Sequence, residues 1–338
     1  MGPGPVVTIS RMTDDPTVPS KHRVFSSMPS FAGVPTRALA DVADAGVVIL
    51  GAPFDWGTTN RPGARFAPKA IREADYLGED GWRPHIPTGI NALGVLSVVD
   101  VGDLPVTPGY VEESIEVIAD AVESIARAGA VPITLGGDHT VTFPDATGVA
   151  RVHGFGNVAL IHFDAHADTG ETHFGQLHGH GTPMRRLIES GAVPGNRFVQ
   201  IGLRGYWPGP QVFAWMKEQG MRSYMMSEIT DRGLDTVVDE AVAHAADGAD
   251  AVFLSIDIDV VDPGMAPGTG TPEPGGLTSR ELLDTVRRLA KELNVVGADV
   301  VEVSPPYDGP GEVTAYLANR VVLEILNGMA ERKVAGES

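Results

Sequence analysis

Residues 157–168 read NVALIHFDAHAD, a mostly apolar run that ends in alternating acidic and imidazole side chains. Short apolar runs are typical of strands that are buried on both faces of a parallel sheet. The run therefore predicts a central strand, and the polar residues after it predict a loop at the carboxyl end of that strand. Comparable runs recur along the chain and predict strands at residues 44–55, 94–104, 131–139, 157–166, 198–205, 221–226, 251–259 and 294–305.

Segments with a helical spacing of apolar residues separate these strands. They predict helices at residues 67–77, 110–130, 182–191, 211–220, 234–248, 279–293 and 314–331. Strands that alternate with amphipathic helices indicate a mostly parallel central sheet with helices on both faces, which is a three-layer α/β/α fold. No internal repeat or low-complexity linker divides the pattern. We therefore expect a single domain over residues 41–332, preceded by an irregular arm over residues 1–40.

The composition excludes several classes of protein and of functional site. The chain has 338 residues with a formal net charge of -19, which argues against a nucleic-acid-binding protein. It contains no cysteine, which excludes disulfides, thiolate catalysis and cysteine-ligated metal sites. The first residues lack the apolar core of a signal peptide, and no apolar stretch is long enough for a membrane helix. We expect a cytoplasmic protein without a membrane or nucleic-acid partner.

Polar residues at the strand ends carry the functional signal. Four predicted strands end in acidic or imidazole side chains: Asp138 and His139; Asp164, His166 and Asp168; Asp257 and Asp259; and Glu302. In open α/β sheets, ligands bind outside the carboxyl ends of the strands, where these side chains would meet. One aspartate after a strand is usually a turn or helix-cap residue. A cluster of carboxylates, in contrast, is strongly unfavourable unless cations neutralise it.

The spacing of these residues predicts two metal ions. Alternate side chains of an extended segment point to one face, so Asp164, His166 and Asp168 are expected to share a face. Asp257 and Asp259 are expected to do the same. So many ligands exceed what one ion ordinarily takes from a protein, whereas two ions with bridging carboxylates would use them all. Carboxylates and imidazoles without sulfur suit Mn²⁺, with Ni²⁺, Fe²⁺ or Zn²⁺ as alternatives, and two adjacent ions activate water for hydrolysis.

Three motifs closely resemble the signature blocks of the ureohydrolases, the arginase and agmatinase family. They are GGDHT (136–140), DAHAD (164–168) and SIDIDVVDPGMAPGTGTPEPGG (255–276), and EVSP (302–305) is similar to a fourth family element. The resemblance implies an arginase-like fold and assembly as homotrimers or homohexamers. It also implies two Mn²⁺ per subunit, with Ni²⁺ as the alternative, and hydrolysis of a guanidino group to urea and an amine.

The resemblance further implies roles for individual residues. One ion would be held by His139, Asp164, Asp168 and Asp257. The other would be held by His166, Asp259 and the two bridging carboxylates, Asp164 and Asp257. A hydroxide between the ions would attack the guanidinium carbon, and Asp168 would steady the hydroxide and pass a proton on to the leaving amine. Glu302 would pair with the guanidinium N–H groups. Asp138 matches a family position that does not bind metal, and we expect it to support the ligands or the backbone.

The proton-carrying histidine of the family precedes Gly-x-Pro. HGTP (180–183) fits this pattern, which makes His180 the expected proton carrier. His178 does not fit the pattern, and His178 and His173 are expected to line the pocket or to lie on the surface.

The substrate prediction depends on the loop after DAHAD. Arginases bind the amino-acid end of arginine through a polar loop and an aspartate beside an IGLR-like motif. Residues 169–179 lack the loop pattern, and Trp207 stands at the place of that aspartate. Residues 57–72, GTTNRPGARFAPKAIR, are instead similar to the agmatinase-type branch. Glu171 and the face of Trp207 suit an ammonium group, so agmatine is the expected substrate, with putrescine and urea as products.

Other functions stay open. Guanidinobutyrate or another guanidino acid would favour an arginine at the pocket mouth, and free guanidine is a further candidate with nickel. The alternative outside enzymes is a catalytically silent relative that binds a guanidino metabolite without hydrolysing it. The complete set of candidate metal ligands argues against it, because a silent relative would be free to lose some of them. A single zinc site like that of histone deacetylases is a third class, but it would not need Asp164 and Asp259 together with His139.

Overall fold

The structure, a computed structural model, describes residues 30–77 and 81–336. Most of the predicted irregular arm, residues 1–29, lies outside the described residues. Its remainder packs against the domain: Phe31 is buried, and its backbone N–H donates to Asp100 Oδ2 at 2.8 Å. Among the described residues, no helix is long and apolar enough to cross a membrane.

Eight strands form one sheet in which every pair of neighbours is parallel. The strands are β1 Val47–Gly51, β2 Val98–Asp103, β3 Val131–Leu135, β4 Val158–Phe163, β5 Phe198–Leu203, β6 Arg222–Met225, β7 Ala251–Asp257 and β8 Val295–Val301. Their order across the sheet is β2-β1-β3-β8-β7-β4-β5-β6. The four strands that end in the predicted site residues, β3, β8, β7 and β4, are therefore neighbours at the centre of the sheet.

Helices cover both faces of the sheet. They are α1 Ala67–Glu73, α2 Ala92–Val95, α3 Val111–Arg127, α4 Thr142–His153, α5 Pro183–Ser190, α6 Pro210–Glu218, α7 Met226–Arg232, α8 Leu234–Ala246, α9 Ser279–Glu292 and α10 Val313–Val334. Along β1, Val47 and Ile49 join the apolar layer under α8, α9 and α10, whereas Val48 and Leu50 join the layer under α3 and α4. The predicted α/β/α arrangement is confirmed, and the sheet is entirely parallel.

Helix α4 was not predicted, because Pro144, Gly148 and several β-branched residues weaken its helical pattern. Packing explains why it forms. A side chain at Gly148 would come within 2.6 Å of the Ala119 carbonyl oxygen, so the glycine lets α4 approach α3 closely. This helix follows directly on the loop that carries Asp138 and His139, and it therefore helps to fix that loop. The short helices α2 and α7 were also absent from the prediction.

Candidate functional site

The sheet brings the predicted polar residues together at its carboxyl edge. In the register of the sheet, Phe163 of β4 pairs with Ile256 of β7, and Asp257 of β7 pairs with Val301 of β8. The residues that follow, Asp164 and Glu302, therefore emerge beside Asp257. All three carboxylates are buried.

We predicted that the segments carrying Asp164 and Asp259 are extended, with alternate side chains on one face. That prediction of their backbone conformation is wrong. Ala165 and His166 form a bend, and Asp259 lies in a single 3₁₀ turn, Ile258–Val260. Each turn is closed by its own aspartate: Asp164 Oδ1 accepts the His166 N–H at 2.5 Å, and Asp257 Oδ1 accepts the Asp259 N–H at 2.8 Å. The side chains therefore converge because aspartates favour such turns, and not because of a strand pleat.

One group of candidate ligands surrounds His139. Its Nδ1 lies 3.1 Å from Asp164 Oδ2, 2.9 Å from Asp168 Oδ2 and 3.1 Å from Asp257 Oδ2. Nevertheless, this nitrogen makes no hydrogen bond with acceptable geometry to any described residue. Carboxylate oxygens that lie about 3 Å from an imidazole nitrogen have the spacing expected of ligand atoms bound to one ion at roughly 2.1 Å. The arrangement therefore fits a divalent metal better than a set of hydrogen bonds.

The electrostatics of this group also call for a cation. Burial lowers the pKa of His139, but the Asp164, Asp168 and Asp257 carboxylates outweigh burial and raise it well above its ordinary value. Burial together with the charges of Asp259 and Asp164 raises the pKa of Asp257 well above its ordinary value. The carboxylates therefore favour a positive charge at the centre of the cluster, and a bound metal ion would supply that charge.

A second group shares Asp164 with the first. His166 Nδ1 lies 3.4 Å from Asp164 Oδ1 and 3.0 Å from Asp259 Oδ2. Because Asp164 turns one oxygen toward His139 and the other toward His166, it stands where a bridging ligand would stand. These three residues, Asp164, His166 and Asp259, form a compact group that could hold a second ion.

His162 was missed from the sequence, although it alternates with Asp164 in the same segment. Its Nε2 lies 2.8 Å from Asp164 Oδ2, and its Nδ1 lies 3.0 Å from Gln200 Nε2. The Gln200 amide also donates to the Ala167 carbonyl and accepts from Ser223, so its nitrogen faces His162. His162 Nδ1 is therefore the acceptor and Nε2 carries the proton, which makes His162 a donor that orients Asp164 rather than a metal ligand.

His139 is oriented from behind in the same way. Its Nε2 lies 3.0 Å from Ser255 Oγ, which in turn lies 3.2 Å from Thr142 Oγ1. The His139 backbone N–H donates to Glu302 Oε1 at 2.8 Å. These contacts turn Nδ1 toward the carboxylates. Ser255 and Thr142 were not predicted, since nothing in the sequence indicates which hydroxyl lies behind a histidine.

His180 and Glu302 form a buried pair beside the first group. His180 Nδ1 lies 3.0 Å from Glu302 Oε1, whereas Glu302 Oε2 is buried without a hydrogen-bond partner among the described residues. Burial lowers the pKa of His180, but Glu302 outweighs burial and raises that pKa to about 9. Both Asp168 and Glu302 have positive backbone φ angles, 50° and 62°, a strained conformation that is often found at functional sites.

Asp138 points away from the candidate ligands. Its Oδ1 accepts the Thr140 N–H at 2.9 Å, and its Oδ2 accepts the Gly57 N–H at 2.8 Å. Asp138 therefore caps the 3₁₀ turn that carries His139 and fastens the loop after β1 to it. This agrees with the expectation that Asp138 supports the backbone.

A cavity of about 320 Å³ opens over these groups. Its lining includes the candidate ligands His166, Asp168 and Asp257. Thr59, His180 and the aromatic side chains of His173, Phe174 and Trp207 also line it. Glu302 lies behind His180 and does not line the cavity.

Two residues named in the sequence analysis lie apart from the cavity. Glu171 is exposed and does not line the cavity. Burial lowers the pKa of Arg186, and the charge of Glu171 partly offsets that effect. His178 lies away from the lining, where its ring stacks on Phe143 at 5.7 Å.

Comparisons with known proteins agree with this geometry. The model of the arginase family matches residues 45–327. Guanidinopropionase from Pseudomonas aeruginosa is 40% identical over 311 residues, which cover 90% of this chain and 95% of that protein. Mitochondrial agmatinase from Gallus gallus is 41% identical over 299 residues, covering 88% and 84%. The solved structure of proclavaminate amidino hydrolase from Streptomyces clavuligerus superposes with a TM-score of 0.83 at 37% identity and covers 92% of this chain and 99% of that one. The chain therefore belongs to the arginase family and is a ureohydrolase, an enzyme that hydrolyses a guanidino compound.

Proposed function

We propose that this ureohydrolase cleaves agmatine to putrescine and urea and that it works with two Mn²⁺ ions. The observation that carries the choice of substrate is the chemistry of the cavity wall. None of the described residues lining the cavity is a lysine or an arginine, whereas His173, Phe174 and Trp207 present aromatic rings. A carboxylate tail would be left without a cationic partner there, whereas an ammonium tail is attracted to aromatic faces.

The two groups around Asp164 are the proposed metal sites. His139, Asp168 and Asp257 would complete one site, and His166 and Asp259 the other, with Asp164 and Asp257 as bridging ligands. Two divalent ions held in this way would polarise the guanidino group and lower the pKa of a nucleophilic water. Mixed carboxylate and imidazole ligands suit Mn²⁺, with Ni²⁺ as the alternative.

The protein side chains supply binding and proton transfer. We assign the unpartnered Oε2 of Glu302 to a guanidinium N–H group that reaches past the cavity lining, because this buried carboxylate oxygen otherwise lacks a donor among the described residues. Asp168 lines the cavity and is assigned to hold the proton released by the water nucleophile. His180, which lines the same cavity, is assigned to return a proton to the departing amine.

Guanidino acids are the second candidate class, because relatives named for them are about as similar to this chain as the agmatinase. Guanidinopropionase and a guanidinobutyrase from Pseudomonas aeruginosa are 40% and 37% identical to this chain, close to the 41% of the agmatinase. Similarity in sequence therefore does not separate the two classes of substrate. The Glu171 contact, assembly as a homotrimer or homohexamer, and the cytoplasmic location stay predictions.

Urea release from a panel of substrates tests the proposal. The panel is agmatine, guanidinobutyrate, guanidinopropionate, arginine and guanidine, each with Mn²⁺ and with Ni²⁺. We expect the highest kcat/KM for agmatine with Mn²⁺. A higher value for a guanidino acid would assign the enzyme to the second class, and no urea from any substrate would favour a silent relative. Metal analysis is expected to give two equivalents per chain, and one equivalent at saturation would contradict the dinuclear site.

A further inference from the structure

Thr59 reaches His180 from a loop more than a hundred residues earlier in the chain. Its backbone N–H donates to His180 Nε2 at 3.2 Å, and its Oγ1 lies 2.7 Å from the same nitrogen. Thr59 is exposed and lines the cavity. The hydroxyl that contacts the imidazole therefore belongs to a residue that borders the space in which a substrate would bind.

The contacts on both sides of the ring fix which nitrogen carries the proton. A backbone N–H can only donate, so the contact with Thr59 requires a lone pair on His180 Nε2. The other nitrogen, Nδ1, then donates to Glu302 Oε1 at 3.0 Å. A second proton, on Nε2, is favoured by the charge of Glu302 and opposed by the Thr59 N–H. Of the two protons on the charged ring, the one on Nε2 is therefore the one that the ring would give up.

The Thr59 hydroxyl can serve both forms of the ring. It donates to Nε2 when that nitrogen is bare and accepts from it when it is protonated, whereas the backbone N–H suits only the bare form. We propose that Thr59 is a further catalytic residue that relays a proton from His180 to the departing amine. The Nε2–H bond breaks as a new bond forms to Thr59 Oγ, and the former hydroxyl proton passes to the amine nitrogen as its bond to carbon breaks. Threonine is unchanged, and the imidazole regains a proton from water.

The loop holds Thr59 in register with His180. The His180 backbone N–H donates to the Gly57 carbonyl at 3.1 Å, and the Gly57 N–H donates to Asp138. The neighbouring Thr58 directs its hydroxyl to Asp138 Oδ2 at 3.4 Å, and not to the imidazole. Thr58 thus offers a matched control: it has the same side chain and lies in the same loop, but it does not contact His180.

The relay rests on the proposed function, and the variants Thr59→Val, Thr59→Ser and Thr58→Val test it in the metal-loaded enzyme with its best substrate. Thr59→Val keeps the shape and the backbone N–H but removes the hydroxyl. We expect its kcat to fall by about tenfold or more, with KM within about twofold, since a positioned proton donor contributes at least this much. Thr59→Ser is expected to restore kcat to within about twofold of the parent enzyme, and Thr58→Val to leave it unchanged.

Each contrary result has a separate meaning. An unchanged kcat in Thr59→Val would overturn the relay, and so would a serine variant as slow as the valine variant. An equal loss in Thr58→Val would show that the loop, and not the hydroxyl, is responsible. A rise in KM alone would show that Thr59 binds substrate without moving a proton. If the parent enzyme releases no urea from any guanidino compound, the proposed function fails instead.

Discussion

His180 Nδ1 lies 3.0 Å from Glu302 Oε1, and the same oxygen accepts the backbone N–H of His139 at 2.8 Å. One carboxylate oxygen thus joins the imidazole on the wall of the cavity to the turn that carries a candidate metal ligand. The other oxygen remains without a partner in a buried position. A donor would remove the cost of burying this oxygen, and we assign that donor to a guanidinium N–H group that reaches past the cavity lining.

Replacing Glu302 with glutamine should therefore weaken transition-state binding rather than metal binding. The Glu302→Gln side chain would lack the charge that pairs with the guanidinium and would hold His180 less firmly. We expect kcat/KM to fall on the order of 100-fold, the effect of losing one or two charge-assisted hydrogen bonds. Metal content per chain should be unchanged. Glu113→Gln, on the exposed surface of α3, is the control, and a loss of metal in Glu302→Gln would contradict the assignment.

The stability of the metal-free protein should depend on pH through His180. Glu302 raises the pKa of His180 to about 9, so the charged ring stabilises the folded state below the unfolded pKa of about 6.5. This contribution is lost as the pH rises through about 9. We expect His180→Asn to be less stable than the parent at pH 6, by at most about 3 kcal/mol, with a smaller difference at pH 10. Chemical denaturation in the presence of a chelator measures both values, and a difference that grows with pH would contradict the pairing.

Metal ions should stabilise the folded protein through His139. An ion that binds only the folded state adds about 2.7 kcal/mol to the free energy of unfolding at a hundred times its Kd. We expect Mn²⁺ to raise the Tm of the parent protein, and the rise to be much smaller in His139→Asn. His178→Asn, which changes a histidine outside the site, should respond like the parent. Equal rises in all three proteins would place the bound Mn²⁺ elsewhere.

Gly57 should not tolerate a side chain, because the loop that carries Thr59 lies directly on the His180 segment. A Cβ at Gly57 would come within 2.2 Å of Thr140 Oγ1 and 2.8 Å of the His180 backbone nitrogen. We expect Gly57→Ala to lower the free energy of unfolding by about 1–3 kcal/mol and to reduce kcat, as overpacking usually does. Gly311→Ala, whose Cβ would meet only Val313 at 3.6 Å, is the control. Full activity in Gly57→Ala would show that the loop can move aside.

Much of this fold could be predicted from the sequence, because strands buried on both faces of a parallel sheet have continuous apolar sequences. Each run that ends in an aspartate or histidine marked a strand of the sheet, and the arginase-type motifs placed six candidate ligands that the structure brings together. Helix α4 escaped prediction because its pattern is weak and its formation depends on packing against α3. The turns at Asp164 and Asp257 also escaped it, since a short polar segment is compatible with both a turn and a strand.

Residues that act through distant contacts are harder to predict. His162 could have been found from its alternation with Asp164, but the position of the proton on its ring depends on Gln200, one strand away. Thr59 and His180 are 121 positions apart, and only the folded chain shows that they meet. Glu171 was chosen because it lies in the loop after the metal motif, but only the fold shows which residues of that loop line the cavity: they include His173 and Phe174, and not Glu171.

Trp207 should bind the tail of the substrate without taking part in the chemistry. Its side chain lines the cavity, and its ring lies 5.7 Å from that of His173 in a T-shaped arrangement. An ammonium group against these rings gains on the order of 1–2 kcal/mol, so Trp207→Ala should raise the KM of agmatine about tenfold and change kcat less. The neighbouring Tyr206 is fully exposed and does not line the cavity, which makes Tyr206→Ala the matched control. Inhibition by free guanidinium, which has no tail, should be the same in both variants and the parent. If Trp207→Ala weakens guanidinium as much as agmatine, the tryptophan supports the metal site and does not recognise the tail.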